Sequence, residues 1–270
     1  MKFVSPRHQV VVQVKLGDQG PFSMMLDTGT DPSVIDAALA RRLRPPADTT
    51  LQEGKGTGVD PVQAFEWDMV DVRLGKVHAD TVAAAALDLG TISEKLGMRV
   101  DGVLGYSFLA GRIVQIDYLH HRVRFYQNSP ALSRQESVEM EMELPAQDPT
   151  PRFTGRINRR DVLLLYDSGS SNSVAVTGGS IASLGLKAAF EAARPDSAFG
   201  YGGRAETRRG SIPSLLLGAI LFENVPCVFG VKGYGEAWDR GTEAGKIGGA
   251  LFEGMVVTVD YPNQRIRFER

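Results

Sequence analysis

A chain of 270 residues with 30 Lys+Arg against 32 Asp+Glu, a formal charge of -2 and 43% hydrophobic residues has the balance of a globular protein. At this size folding buries about 70–75% of the unfolded surface, enough for one sizeable core or two. The near-zero charge offers no field for nucleic acid, the longest apolar runs fall far short of the roughly 20 residues of a membrane span, and one cysteine permits neither an intrachain disulfide nor a Cys-rich zinc site.

The opening residues, MKFVSPRHQV, carry no apolar signal core. They point to a cytoplasmic chain, or to an already processed periplasmic or secreted form. Val10, Val12, Val14 and Leu16 alternate with other residues and predict a strand with one wet face; Val138, Met140, Met142 and Leu144, alternating with glutamates, predict another. Short helical patterns fall at 34–43 and 179–193. Cys227, inside the apolar NVPCVFG, reads as core packing, and Trp67 and Trp238 as core or cleft. His120 and His121 read as turn residues rather than metal ligands. The expectation is a mostly β protein with a few short helices.

An internal repeat covers nearly the whole chain. FSMMLDTGTDPSVID (22–36) is answered by VLLLYDSGSSNSVAV (162–176), with Asp27 and Asp167 in register 140 positions apart. RLGKVHADTVAAA (73–85) is answered by LLGAILFENVPCV (216–228), and LGYSFLAGRIVQIDYLHHRVRF (104–125) by IGGALFEGMVVTVDYPNQRIRF (247–268), both at an offset of 143. A long unit used twice predicts two equivalent lobes, 1–130 and 131–270, joined by a polar linker at about 126–135.

In each half an apolar run ends in Asp-(Thr/Ser)-Gly-(Thr/Ser). A carboxylate at the end of a buried strand loses solvation and needs donors or a shared proton. Thr28, Thr30, Ser168 and Ser170 supply hydroxyl donors, while Gly29 and Gly169 allow a tight turn and close backbone approach. If a pseudo-twofold axis brings the loops together, two adjacent carboxylates do not both ionise easily. One is then an acid and the other a base, a pairing suited to hydrolysis by an activated water.

These two signatures, with VDGVLGYSFL (100–109) following the first, resemble those of the aspartic peptidases, in the retropepsin-like or pepsin-like single-chain, two-lobe form of bacterial type. The resemblance implies a bilobal acid-protease fold of two pseudo-twofold-related, β-barrel-like lobes. It implies that Asp27 and Asp167 are the catalytic dyad, that Thr28 and Ser168 interlock the loops, and that Thr30 and Ser170 bond the outer carboxylate oxygens. A flap is implied at 54–60, with Gly56, Thr57 and Gly58 at its tip, or at 199–206, with Tyr201 and Gly202. The implied activity is that of a monomeric endopeptidase on a polypeptide substrate, with no metal or cofactor. The alternative is the same fold retained as a catalytically silent polypeptide-binding module.

Two positions depart from the pattern. Lys246 stands where the first half has Val103, and its ammonium is expected to reach water past an apolar stem. Asp31 follows Thr30 and reads either as a solvated loop carboxylate or as a charge acting on the dyad.

Overall fold

The repeat in the sequence becomes a repeat in space around one five-stranded antiparallel sheet. In the computed structural model, which describes residues 1–44, 50–54, 56–232, 234 and 243–270, its order is Arg122–Tyr126, Ile113–Asp117, Val256–Asp260, Arg265–Glu269 and Ser137–Glu141. The sheet therefore takes strands from both halves. Ile113, Val114, Ile116, Val256, Val257 and Val259 are β-branched, as a strand prefers, and both central strands are buried along their whole length. Gln115 lies opposite Thr258 and donates from Nε2 to its Oγ1 at 3.2 Å. Thr258 is the repeat counterpart of Gln115, so this pair maps onto itself and marks where the pseudo-twofold axis crosses the sheet.

Each half adds its own sheet. In the first, nine strands run Gln52–Gly54, Val62–Glu66, Ala84–Leu87, Ser33–Asp36, Gly102–Leu104, Gln19–Leu26, Val11–Leu16, Met69–Leu74 and Val77–Val82. In the second, Arg152–Ile157, Arg160–Asp167, Glu243–Gly248, Val174–Val176, Ile220–Lys232 and Gly203–Leu217 form a six-stranded barrel, closed by Arg156 opposite Leu216 and Ile157 opposite Leu215. Arg194–Gly200 extends it at one edge. The run from Arg152–Ile157 to Ile220–Lys232 repeats the first half's run from Val11–Leu16 back to Ala84–Leu87. The molecule is thus mostly β and bilobal.

The core is continuous across the halves: Leu26, Phe108, Tyr166, Phe252 and Phe268 belong to one buried cluster. Phe252 and Phe268 stack at 5.2 Å between ring centroids. Trp67 joins this core and donates its indole N–H to the Arg44 carbonyl at 3.2 Å; Trp238 lies outside the described residues. Cys227 is buried, and burial pushes its thiol pKa far up.

The helical expectations need correction. Residues 33–36 form a strand, because Val34 and Ile35 are taken up between Ala84–Leu87 and Gly102–Leu104; the helix is only Ala37–Leu43. Asp36 caps it by accepting from the Leu39 N–H at 3.0 Å. The span 179–193 holds a 3-10 turn at Gly178–Ser180 and a helix at Lys187–Ala192, parted at Gly185, whose φ of +67° interrupts any helix. Two further helices, Gly90–Leu96 and Tyr106–Leu109, carried no periodic signal long enough to read. His120 and His121 occupy the turn between Ile113–Asp117 and Arg122–Tyr126, with His120 Nδ1 3.0 Å from the Asp117 carboxylate.

Candidate active site

Strand Gln19–Leu26 delivers Asp27 and strand Arg160–Asp167 ends in Asp167, each flanked by a parallel neighbour that follows the same rule. Met25 lies opposite Val103 in Gly102–Leu104, and Leu165 lies opposite Lys246 in Glu243–Gly248. The neighbours then turn under the loops. Tyr106 N–H donates to the Thr30 carbonyl at 2.8 Å, and its repeat counterpart Gly249 N–H donates to the Ser170 carbonyl at 2.9 Å.

The two loops are locked by four reciprocal hydrogen bonds. Thr28 N–H donates to Ser168 Oγ and Ser168 N–H to Thr28 Oγ1, each at 3.0 Å. Thr28 Oγ1 donates to the Tyr166 carbonyl and Ser168 Oγ to the Leu26 carbonyl, each at 2.8 Å. All four are buried, where an unmade bond costs most. Each loop glycine packs on the opposite carboxylate: a Cβ on Gly29 would sit 2.8 Å from Asp167 Cγ, and one on Gly169 2.4 Å from Asp27 Cγ. Only glycine permits that approach. A residue the sequence reading missed, Gln9, ties the lobes further by donating from Nε2 to the Gly169 carbonyl.

The carboxylates are held differently. Asp27 accepts from Gly29 N–H and from Thr30 Oγ1, both at 2.8 Å. Asp167 accepts from Lys246 Nζ at 2.6 Å, and among the described residues Ser170 Oγ makes no hydrogen bond to it. The expectations for Ser170 and Lys246 are both corrected here. The lysine side chain is only 12% exposed, and its ammonium reaches the carboxylate instead of water. Burial, then the neighbouring Asp167, pushes Asp27 up from 3.8 to about 7, against its own donors and Lys246. Burial opposes the charge on Lys246, but Asp167, together with Tyr234 and Asp27, more than offsets it and the pKa is raised. Asp31 is exposed, and the charges acting on Asp27 are Asp167 and Lys246.

The two candidate flap hairpins meet, and Tyr201 of the second comes close to the carboxylates. The first is the turn between Gln52–Gly54 and Val62–Glu66; the second is the Tyr201-Gly202 turn closing Arg194–Gly200 onto Gly203–Leu217. Gly202 N–H donates to the Thr57 carbonyl and Asp60 N–H to the Gly202 carbonyl, both at 2.9 Å, and Gly58 bridges to Gly202. Lys55 of the first hairpin lies outside the described residues. Tyr201 packs on the first half's apolar cluster of Met25, Val34, Val62 and Val103. Its hydroxyl is buried beside Asp27 and Thr30 without a well-formed hydrogen bond among the described residues.

Residues 12–108 match the family model described as Aspartyl protease. The matched segment contains Asp27, its loop and the supporting Val103-Leu104-Gly105, so it supports an aspartyl protease family and aspartic-type hydrolase chemistry in general terms. No curated protein matches the chain. Among the described residues no helix is long and apolar enough to cross a membrane, and no group of three or more His, Cys, Asp or Glu is placed to hold a metal ion.

Proposed function

We propose that the protein is an aspartic endopeptidase that works as a monomer, with Asp27 and Asp167 as its catalytic dyad. The observation that carries this reading is the reciprocal lock of Thr28 and Ser168, which seats each loop glycine against the other half's carboxylate. Two buried carboxylates so placed share one proton. The ionised member draws a proton from a water between them, and the protonated member supplies one to the substrate carbonyl oxygen as the tetrahedral centre forms. No covalent intermediate is needed. The polypeptide would lie under the two flap tips, which part to admit it.

The test is cleavage of an unfolded protein between pH 3 and 8 by wild type, Asp27→Asn and Asp167→Asn, with cut sites mapped by mass spectrometry. Wild type should cut, and each variant should lose at least about a hundredfold in rate. A folded wild type that is inert throughout would overturn the proposal in favour of a polypeptide-binding module.

A further inference from the structure

Lys246 breaks the symmetry of the site at its most sensitive point. Its repeat counterpart, Val103, is buried in an apolar cluster with Met25 and Val34. Lys246 holds the same place in its sheet, opposite Leu165 as Val103 is opposite Met25. From there its ammonium contacts Asp167 Oδ2 at 2.6 Å. Asp27 is held by neutral donors, a backbone N–H and a hydroxyl; Asp167 is held by a cation. A charged donor favours the ionised acceptor far more than a neutral one does.

We propose that Lys246 is a positioning residue that fixes the dyad's negative charge on Asp167 and its shared proton on Asp27. The inference rests on the endopeptidase reading and assigns the roles within it. Asp167 takes a proton from the water as the new C–O bond forms at the scissile carbon, and Asp27 gives its proton to the carbonyl oxygen. In the second half Asp167 returns its proton to the leaving nitrogen as the C–N bond breaks. One hydroxyl of the diol restores the proton of Asp27, and the dyad ends as it began.

The other titratable groups facing the pair do not compete for this role. Tyr118, Tyr166, Tyr201, Tyr234 and Tyr261 are all raised by burial and stay neutral over the working range. Among the described residues, Lys246 is the cation that acts on both carboxylates.

The experiment is the pH profile of kcat/KM for wild type, K246M, K246Q and K246R on the same protein-derived peptide, together with 13C carboxylate NMR titration of each. Loss of the cation makes the charged dyad costlier, so both limbs of the bell should move up by about one pH unit or more in K246M and K246Q. The rate on the acid limb should fall about tenfold per unit moved, while K246R, which keeps the charge, should return toward the wild-type profile. A merely structural role would scale the curve without moving it, and that result would overturn the inference. So would a resonance pattern in wild type that puts the proton on Asp167. The NMR titration decides the matter even if no substrate is cut, so failure of the endopeptidase reading and failure of the Lys246 assignment remain distinct.

Discussion

Replacing Thr28 with valine keeps the side chain's shape and removes one oxygen from the lock between the loops. That oxygen accepts from Ser168 N–H at 3.0 Å and donates to the Tyr166 carbonyl at 2.8 Å, both in buried surroundings. Two hydrogen bonds are lost and a buried N–H and C=O are stranded, which together cost roughly 2–4 kcal/mol. Against a total stability of about 5–15 kcal/mol that is a large fraction, and the urea midpoint should fall by about 1 M. Ser168→Ala breaks the two symmetry-related bonds and should cost a similar amount. The double variant should cost less than the sum, because loops already parted by one change admit water to the groups stranded by the other. Equilibrium urea unfolding of the three variants measures all of this. A loss below about 0.5 kcal/mol in Thr28→Val would refute the claim that the loops are held together by a dry, reciprocal network.

Asp27, with a folded value of about 7 against an ordinary 3.8, binds more protons folded than unfolded between those values. Its contribution to stability is therefore present at acid pH and lost as pH rises from about 4 to 7, at up to roughly 1.4 kcal/mol per unit. Asp27→Asn should remove that slope and melt higher than wild type at pH 8; an unchanged slope in calorimetry would contradict the burial argument. At the flaps, a Cβ on Gly56 would lie 2.9 Å from that of Tyr201, so G56C/Y201C should form a disulfide after small adjustment of the tips, with Cys227 too buried to interfere. Oxidation should then abolish cleavage of a protein substrate and reduction restore it; absence of any cross-link under mild oxidant would show that the tips do not meet.

The bilobal plan is legible because it is written twice: the paired Asp-(Thr/Ser)-Gly loops and the counterparts 104–125 and 247–268 point to two equivalent halves and to the two carboxylates, but not to the sheet that takes strands from both. Contacts that the repeat does not carry, fixed by particular neighbours distant in the chain, failed to show. Lys246 was visible as an oddity beside Ile247, but the destination of its ammonium depends on the parallel register with Leu165, 81 positions earlier, which no local pattern encodes. The meeting of Thr57 with Gly202 is likewise invisible, since glycine-rich tips state only that a turn is possible. Residues 34–36 misled for a related reason: the following Ala37, Ala38 and Ala40 extended the helical pattern backwards over a strand that its two partners pull into the sheet.

The central five-stranded sheet also sets when the site can exist during synthesis. Its axis pair joins Gln115 to Thr258, and Lys246 lies only a dozen residues before that partner. A growing chain that has completed the first half carries Asp27 without its neighbour, its cation or the strand that completes the pairing. The two carboxylates come face to face only after nearly all of the 270 residues have been made. Until then the first half holds a single carboxylate, with neither the counterpart loop that locks onto its own nor the ammonium that contacts Asp167.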